Sequence, residues 1–175
     1  SPIEDISDEM LKKSLQKDLT ISDSPEALKD CEHIVISVPT PLTDYQPDLS
    51  YVKAAARTIA ENISKDQVII LESTTYPGTT IEVLIPEIES ISELKAGKDF
   101  HVGYSPERID PGNETWNFKN TPKVISGIDE NSTKKIKNFY EKIIDEVVEV
   151  SGTKEAEMVK LLENTYRHVN IAFIN

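Results

Sequence analysis

The chain of 175 residues is long enough for one domain with a real core. Its 31 acidic and 19 basic residues give a formal net charge of −12, which argues against nucleic acid or an anionic membrane as a partner but not against a phosphorylated small molecule, which needs only local donors. No apolar run approaches a membrane span, no signal peptide is visible, and Cys31 is the single cysteine, so an internal disulfide and a multi-Cys metal site are excluded and a reducing, cytoplasmic setting is expected.

Residues 4–18 read as a short amphipathic helix, with Ile6, Met10, Leu11 and Leu15 on one side. A brief strand is expected over 19–22, then a helix start at Ser24-Pro25. A strand over 33–38 runs into a polar, Pro-interrupted loop. The helix over 50–63 takes Ser50 as its cap and turns Val52, Ala55, Ala56, Ile59 and Ile63 inward. Val68 to Leu71 form an unbroken apolar run, as in a strand covered on both faces. It ends in Ser73, Thr74 and Thr75, turns at Pro77-Gly78 and continues as a helix over 79–90 with Ile81, Leu84, Ile85 and Ile88 in phase. A strand over 100–104 precedes an irregular loop of more than ten residues, a length often functional in a compact domain. Next come a strand over 123–128, a helix over 129–144 burying Ile136, Phe139, Tyr140 and Ile143, and a strand over 147–150. A last helix runs from about Lys154, with Val159, Leu162, Tyr166, Val169 and Phe173 as its inward stripe. The alternation predicts an α/β fold with a largely parallel sheet flanked by helices. In such sheets ligands bind at the carboxyl ends of the strands. Three polar strand ends, at Val38–Pro41, Ser73–Thr75 and Ser105–Arg108, therefore converge on one crevice.

Each residue at that crevice has two readings. Lys160 and Asn164, four apart, share a helix face. Spacing alone favours a solvated surface; the functional reading is a cation and an amide aimed at developing negative charge. Glu107 either pairs at the surface with Arg108, which contributes little, or acts as a general base at a strand end. Ser73, Thr74 and Thr75 either cap the next helix, which the pattern favours, or hold a phosphate or water at its N-terminus. Thr40 is turn chemistry or a rigid wall beside a cofactor. His33 and His101 read as ordinary edge residues and His168 as exposed; none has metal-ligand spacing, and no metal is expected. Trp116 is a local staple or a lid anchor. Cys31, between Asp30 and Glu32, reads as structural, because acidic neighbours disfavour a thiolate.

Taken together, the motifs VPTPL, LESTTYPGTT, YSPERIDPG and AEMVKLLENTYRHVNIAFIN resemble the nucleotide-sugar 6-dehydrogenases, the UDP-glucose/GDP-mannose dehydrogenase family, over nearly the whole chain and in the family's order. Tyr76-Pro77-Gly78 and Glu107-Arg108 look closest to the UDP-N-acetylhexosamine branch, which includes the UDP-N-acetylglucosamine 6-dehydrogenases. The resemblance implies an NAD-dependent, four-electron oxidation of a sugar CH2OH to a carboxylate through a cysteine-bound thioester, in polysaccharide precursor synthesis. It implies that Val38, Pro39, Thr40, Ser73 and Thr74 border the NAD and that Thr74 helps to hold a catalytic water. Glu107 and Arg108 would lie at the substrate, and Lys160 and Asn164 would bind the substrate and stabilise the oxyanion. It also implies a homodimeric parent with a UDP-sugar substrate.

The sequence departs from the family pattern in three ways. No two of its six glycines sit two apart, so the dinucleotide fingerprint G-x-G-x-x-G is absent. The acidic residue for the adenosine ribose and the nucleophilic cysteine are also missing. Residues 1–152 are therefore expected to form a partial, Rossmann-like NAD-binding domain and 153–175 the start of a central, dimerising helix. As a piece of a longer protein, the chain by itself is expected to be inactive, to bind NAD weakly or not at all, and either to self-associate through unpaired strand edges or to re-pair its first segment locally. Alternatives are a UDP-glucose or GDP-mannose 6-dehydrogenase, or a non-catalytic nucleotide-binding module on the same scaffold.

Overall fold

The computed structural model describes residues 6–109 and 115–175. The first residues of the helix expected over 4–18 and the middle of the long loop after residue 104 lie outside these. A five-stranded sheet has the order β1-β4-β5-β6-β7, formed by β1 (His33–Ile36), β4 (Val68–Leu71), β5 (His101–Tyr104), β6 (Lys123–Gly127) and β7 (Val147–Glu149). The strands β1, β4 and β5 are parallel, with Val68 opposite both His33 and His101. β6 runs antiparallel to β5, and β7 is parallel to β6. The sheet is thus mostly parallel and Rossmann-like, as the strand–helix alternation predicts. The reversal at β6 follows from its connection: no crossover helix joins β5 to β6 among the described residues.

Alternate side chains of β4 face opposite layers. Ile69 and Leu71 pack with Val52, Ala56 and Ile59 of α2 (Ser50–Ala60), and with Ile88 of α3 (Ile85–Ser92). Val68 and Ile70 pack with Ile136 and Tyr140 of α4 (Glu130–Tyr140). Gly103 lets α4 approach: a Cβ there would stand 2.3 Å from Ile136 Cδ1 and 2.1 Å from the Ser126 carbonyl oxygen. A two-residue turn at Asp44-Tyr45, both at positive φ, closes a small hairpin of β2 (Leu42–Thr43) and β3 (Gln46–Pro47) within the expected loop.

Several local expectations change. The first helix, α1 (Asp8–Leu15), is capped by Ser7 but buries nothing. Leu19–Ser22 is irregular rather than a strand, and Ile21 is 75% exposed; without a neighbour to complete a ladder, four apolar-alternating residues gain nothing from extending. Among the described residues the first segment pairs with no strand. The helix start at Pro25 is a 3-10 turn, Pro25–Asp30. Ser50 is the first helical residue of α2 rather than its cap; its N–H donates to Asp48 Oδ1 at 2.8 Å. The helix after Gly78 opens with a wide π turn, Thr80–Leu84, which leaves Ile81 exposed. In α4 it is Ile144, just past the helix end, that is buried, while Ile143 is exposed.

His101 is no edge residue. It lies on the central strand, buried, with Nε2 3.1 Å from Asp66 Oδ1 and Nδ1 3.4 Å from Ser132 Oγ. His33, on the outermost strand, stacks on Phe139. The last helix, α5 (Thr153–Ile174), is buried only at Thr153, Ala156 and Glu157. Its expected inward stripe is not inward: Val159 is partly covered, but Leu162, Tyr166 and Val169 are exposed and Phe173 is 89% exposed. The helix extends past the sheet, where the described residues leave these side chains uncovered. Among the described residues no helix is long and apolar enough to cross a membrane.

Candidate active site

The carboxyl ends of β1, β4 and β5 lie side by side. Their loops are cross-tied. The Val38 N–H donates to Ser73 Oγ at 2.8 Å, and Thr40 Oγ1 donates to the Thr74 carbonyl at 2.7 Å. From beneath, Tyr104 OH donates to the Ser73 carbonyl at 3.1 Å. Burial pushes the Tyr104 phenol up to about 12, so it stays a donor at neutral pH. Ser73 is therefore committed to the scaffold. Thr74 is exposed, and its hydroxyl makes no hydrogen bond among the described residues. Of the three residues Thr74 alone is exposed. None of the three caps the following helix: Ser73 turns back to β1, and buried Thr75 Oγ1 has no partner.

That helix start is occupied by a residue the sequence pattern did not single out. Glu157 of α5 is fully buried. Its carboxylate accepts from the Gly78 N–H at 2.5 Å, the Thr80 N–H at 2.8 Å and Thr80 Oγ1 at 2.7 Å. Burial pushes the Glu157 carboxyl up, while these hydrogen bonds pull it back. A phosphate cannot also sit there. Gly78 presents its N–H from φ +104°, a conformation suited to glycine. Periodicity alone places a glutamate in mid-helix among solvated residues, so no signal marks it.

Glu107 follows β5. Its Oε1 accepts from the backbone N–H groups of Arg108 and Ile109, each at 2.7 Å, and its Oε2 lies 3.2 Å from Lys123 Nζ. The side chain remains 41% exposed. The Arg108 guanidinium does not pair with Glu107. It turns to Glu163 Oε1 at 2.6 Å and to the Pro122 carbonyl at 2.7 Å. Lys160 Nζ donates to the Glu107 main-chain carbonyl at 2.6 Å, so the sequence-separated Lys160 and Glu107 do meet. Asn164, half-buried one turn further along α5, makes no side-chain hydrogen bond among the described residues.

Lys123 is the other group that sequence reasoning missed. A parallel β6 would begin at the far end of the sheet; the antiparallel strand instead starts at the crevice. The Lys123 side chain is 5% exposed, 2.7 Å from Glu72 Oε1 and 5.2 Å above the Tyr140 ring. Tyr140 OH donates to the same Glu72 oxygen at 2.5 Å; burial and the neighbouring carboxylate keep that phenol protonated. One buried ammonium thus joins the end of β4, beside Thr74, to Glu107. Cys31 lies before β1, at the opposite end of the strands, with its thiol donating to the Ala27 carbonyl. Among the described residues no group of His, Cys, Asp or Glu is arranged to hold a metal ion.

Val38, Pro39, Thr40, Ser73 and Thr74 form a cross-tied wall at the ends of β1 and β4 that a flat ligand could lie against. The donors for a pyrophosphate are not among these residues, since the chain holds no G-x-G-x-x-G.

The chain is 41% identical over 152 residues to the protein CapL of Staphylococcus aureus, and 38% identical over 152 residues to UDP-N-acetyl-D-glucosamine 6-dehydrogenase of Salmonella typhi. Each match covers 86% of this chain and 36% of the relative, so the chain spans about a third of the length of these curated relatives. The structure of UDP-D-ManNAc dehydrogenase from Pyrococcus horikoshii superposes with a TM-score of 0.88 at 38% identity, covering 95% of this chain and 40% of that one. Residues 1–144 match the NAD binding domain of the UDP-glucose/GDP-mannose dehydrogenase family, and the chain belongs to that family.

Proposed function

We propose that the chain is part of an NAD-dependent nucleotide-sugar 6-dehydrogenase that oxidises the C6 hydroxymethyl of a UDP-N-acetylhexosamine to a carboxylate. Residues 1–152 are then part of its NAD-binding domain and 153–175 the start of a central helix that dimerises the parent, a cytoplasmic enzyme supplying polysaccharide precursors. The observation that carries this reading is the meeting of Lys160 with the Glu107 turn beside the outward Thr74, at the carboxyl ends of β4 and β5.

NAD, when bound, supplies the hydride acceptor. The chain's own residues do the rest. Val38, Pro39, Thr40 and Ser73 form the wall against which it lies. The Thr74 hydroxyl orients a water. Glu107 and Arg108 line the sugar, with the partly exposed Glu107 carboxylate able to accept a proton from that water. Lys160 and Asn164 face the C6 oxygen as negative charge builds on it. The cysteine that would carry the sugar as a thioester is not Cys31, which lies at the far end of the strands.

The test is a panel of UDP-N-acetylglucosamine, UDP-N-acetylmannosamine, UDP-glucose and GDP-mannose offered to the full-length parent, with NADH formation as readout. The expected result is a kcat/KM for one of the N-acetylated sugars on the order of a hundredfold above that for UDP-glucose, since a site built to hydrogen-bond an added polar group discriminates strongly. Preference for UDP-glucose or GDP-mannose would move the parent to another branch, and no turnover with any of them would leave a nucleotide-binding module.

A further inference from the structure

We infer that Glu157 is a positioning residue for the reaction proposed above: its grip on Gly78 and Thr80 fixes how α5 seats on the hydroxyl loop, and so where Lys160 and Asn164 stand relative to Thr74. The inference rests on that proposed function.

A carboxylate with no solvent contact is costly to bury unless hydrogen bonds compensate it. Glu157 has three, one from Gly78 in the Pro77-Gly78 turn and two from Thr80, which opens the π turn. Each oxygen is used, so the helix cannot rotate or slide without losing one. Apolar packing of Ala156 and Val159 also holds α5 to the body, but without fixing a direction. Two further polar ties are of a different kind: Lys154 with Glu82 is a surface pair, and Arg108 with Glu163 is partly exposed; neither fixes a helix firmly. A third, Lys160 to the Glu107 carbonyl, is made by a group assigned to the chemistry itself.

The spacing makes the grip relevant to the site. Glu157, Lys160 and Asn164 are three and then four apart, so they lie along one flank of α5. Glu157 reaches the loop after β4, while Lys160 reaches the turn after β5. The helix therefore bridges two strand ends that carry Thr74 and Glu107. A site of this kind loses about a hundredfold in rate for a misplacement of about 1 Å.

The experiment uses the full-length enzyme with NAD+ and the preferred UDP-sugar. Glu157→Gln keeps the shape but turns an NH2 group toward one of its backbone donors; Glu157→Ala removes the grip. Thr80→Val removes a single donor without touching α5. Expected are kcat losses on the order of a hundredfold for Glu157→Ala and about tenfold for Glu157→Gln and Thr80→Val, with KM for NAD+ within about twofold of wild type. Thermal unfolding confirms which variants fold, and Thr80→Val, a near-isosteric change outside the helix, keeps the test alive if Glu157→Ala does not. A glutamate that only stabilises the fold would lower the melting temperature and leave the kcat of the folded Gln and Val variants unchanged; that result overturns the inference and leaves the proposed function standing. A wild-type enzyme without turnover on any nucleotide sugar overturns both.

Discussion

Lys123→Met is expected to destabilise the protein by about 3 kcal/mol, because it leaves the largely buried Glu72 carboxylate without its cation. Lys123 Nζ lies 2.7 Å from Glu72 and 3.2 Å from Glu107, and its side chain is almost wholly buried. Methionine fills the same volume, so packing is not the cause of the loss. Glu72 would keep only the Tyr140 hydroxyl, which cannot neutralise it. Glu107 is less affected, being more exposed and held by two backbone N–H groups. For a chain of this size the expected fall in melting temperature is roughly 6–12 °C. The double variant Lys123→Met/Glu72→Gln should recover most of it, since the uncompensated charge is then gone. Calorimetric unfolding of the two variants and the wild type checks this. A melting temperature for Lys123→Met within about 2 °C of wild type would show that the ammonium does not hold these carboxylates.

Lys160→Ala in the full-length parent is expected to lower kcat on the order of a hundredfold, with a much smaller rise in KM for the nucleotide sugar. Hydride removal and thioester hydrolysis both pass through species with negative charge on the sugar C6 oxygen. An ammonium held on a helix needs little reorganisation as that charge develops. The helix supports the group: Glu157 buries its first turns and Lys160 Nζ already points to the Glu107 turn. Asn164→Ala should act in the same direction and less severely, since it removes no full charge. Alanine is a good helix former, so α5 should persist in both variants, as circular dichroism would report. A solvated helix face predicts normal turnover instead, and unchanged kcat in Lys160→Ala would remove this face from the active site.

Much of the fold is legible because its signals are local. Val68 to Leu71 sit on a doubly covered strand, and the hydroxyl run after them marks the crevice. The helix expected over 129–144 does start there, with Asp129 as its cap accepting from the Ser132 N–H at 2.7 Å. The nearness of Lys160 to Glu107, 53 positions apart, followed from the family resemblance rather than from spacing. What was not legible depends on partners distant in sequence. Lys123 reaches the crevice only because β6 runs backwards, and nothing in KVISG states a direction. Glu157 looks like any solvated helical glutamate until the Gly78 turn is brought against it. His101 has the composition of a strand start; its partners, Asp66 before β4 and Ser132 of α4, are 35 and 31 positions away. The apolar positions of α5 show the converse: a 3.6-residue stripe reports that a face wants covering, not what covers it.

The most direct test of the central claim is the stoichiometry of NADH produced per nucleotide sugar in the full-length parent. Oxidation of CH2OH to a carboxylate removes four electrons, so with limiting UDP-N-acetylhexosamine and excess NAD+ the account predicts two NADH for each sugar consumed, together with a uronic acid product. One NADH per sugar and an aldehyde product would contradict it, as would sugar binding with no NADH at all.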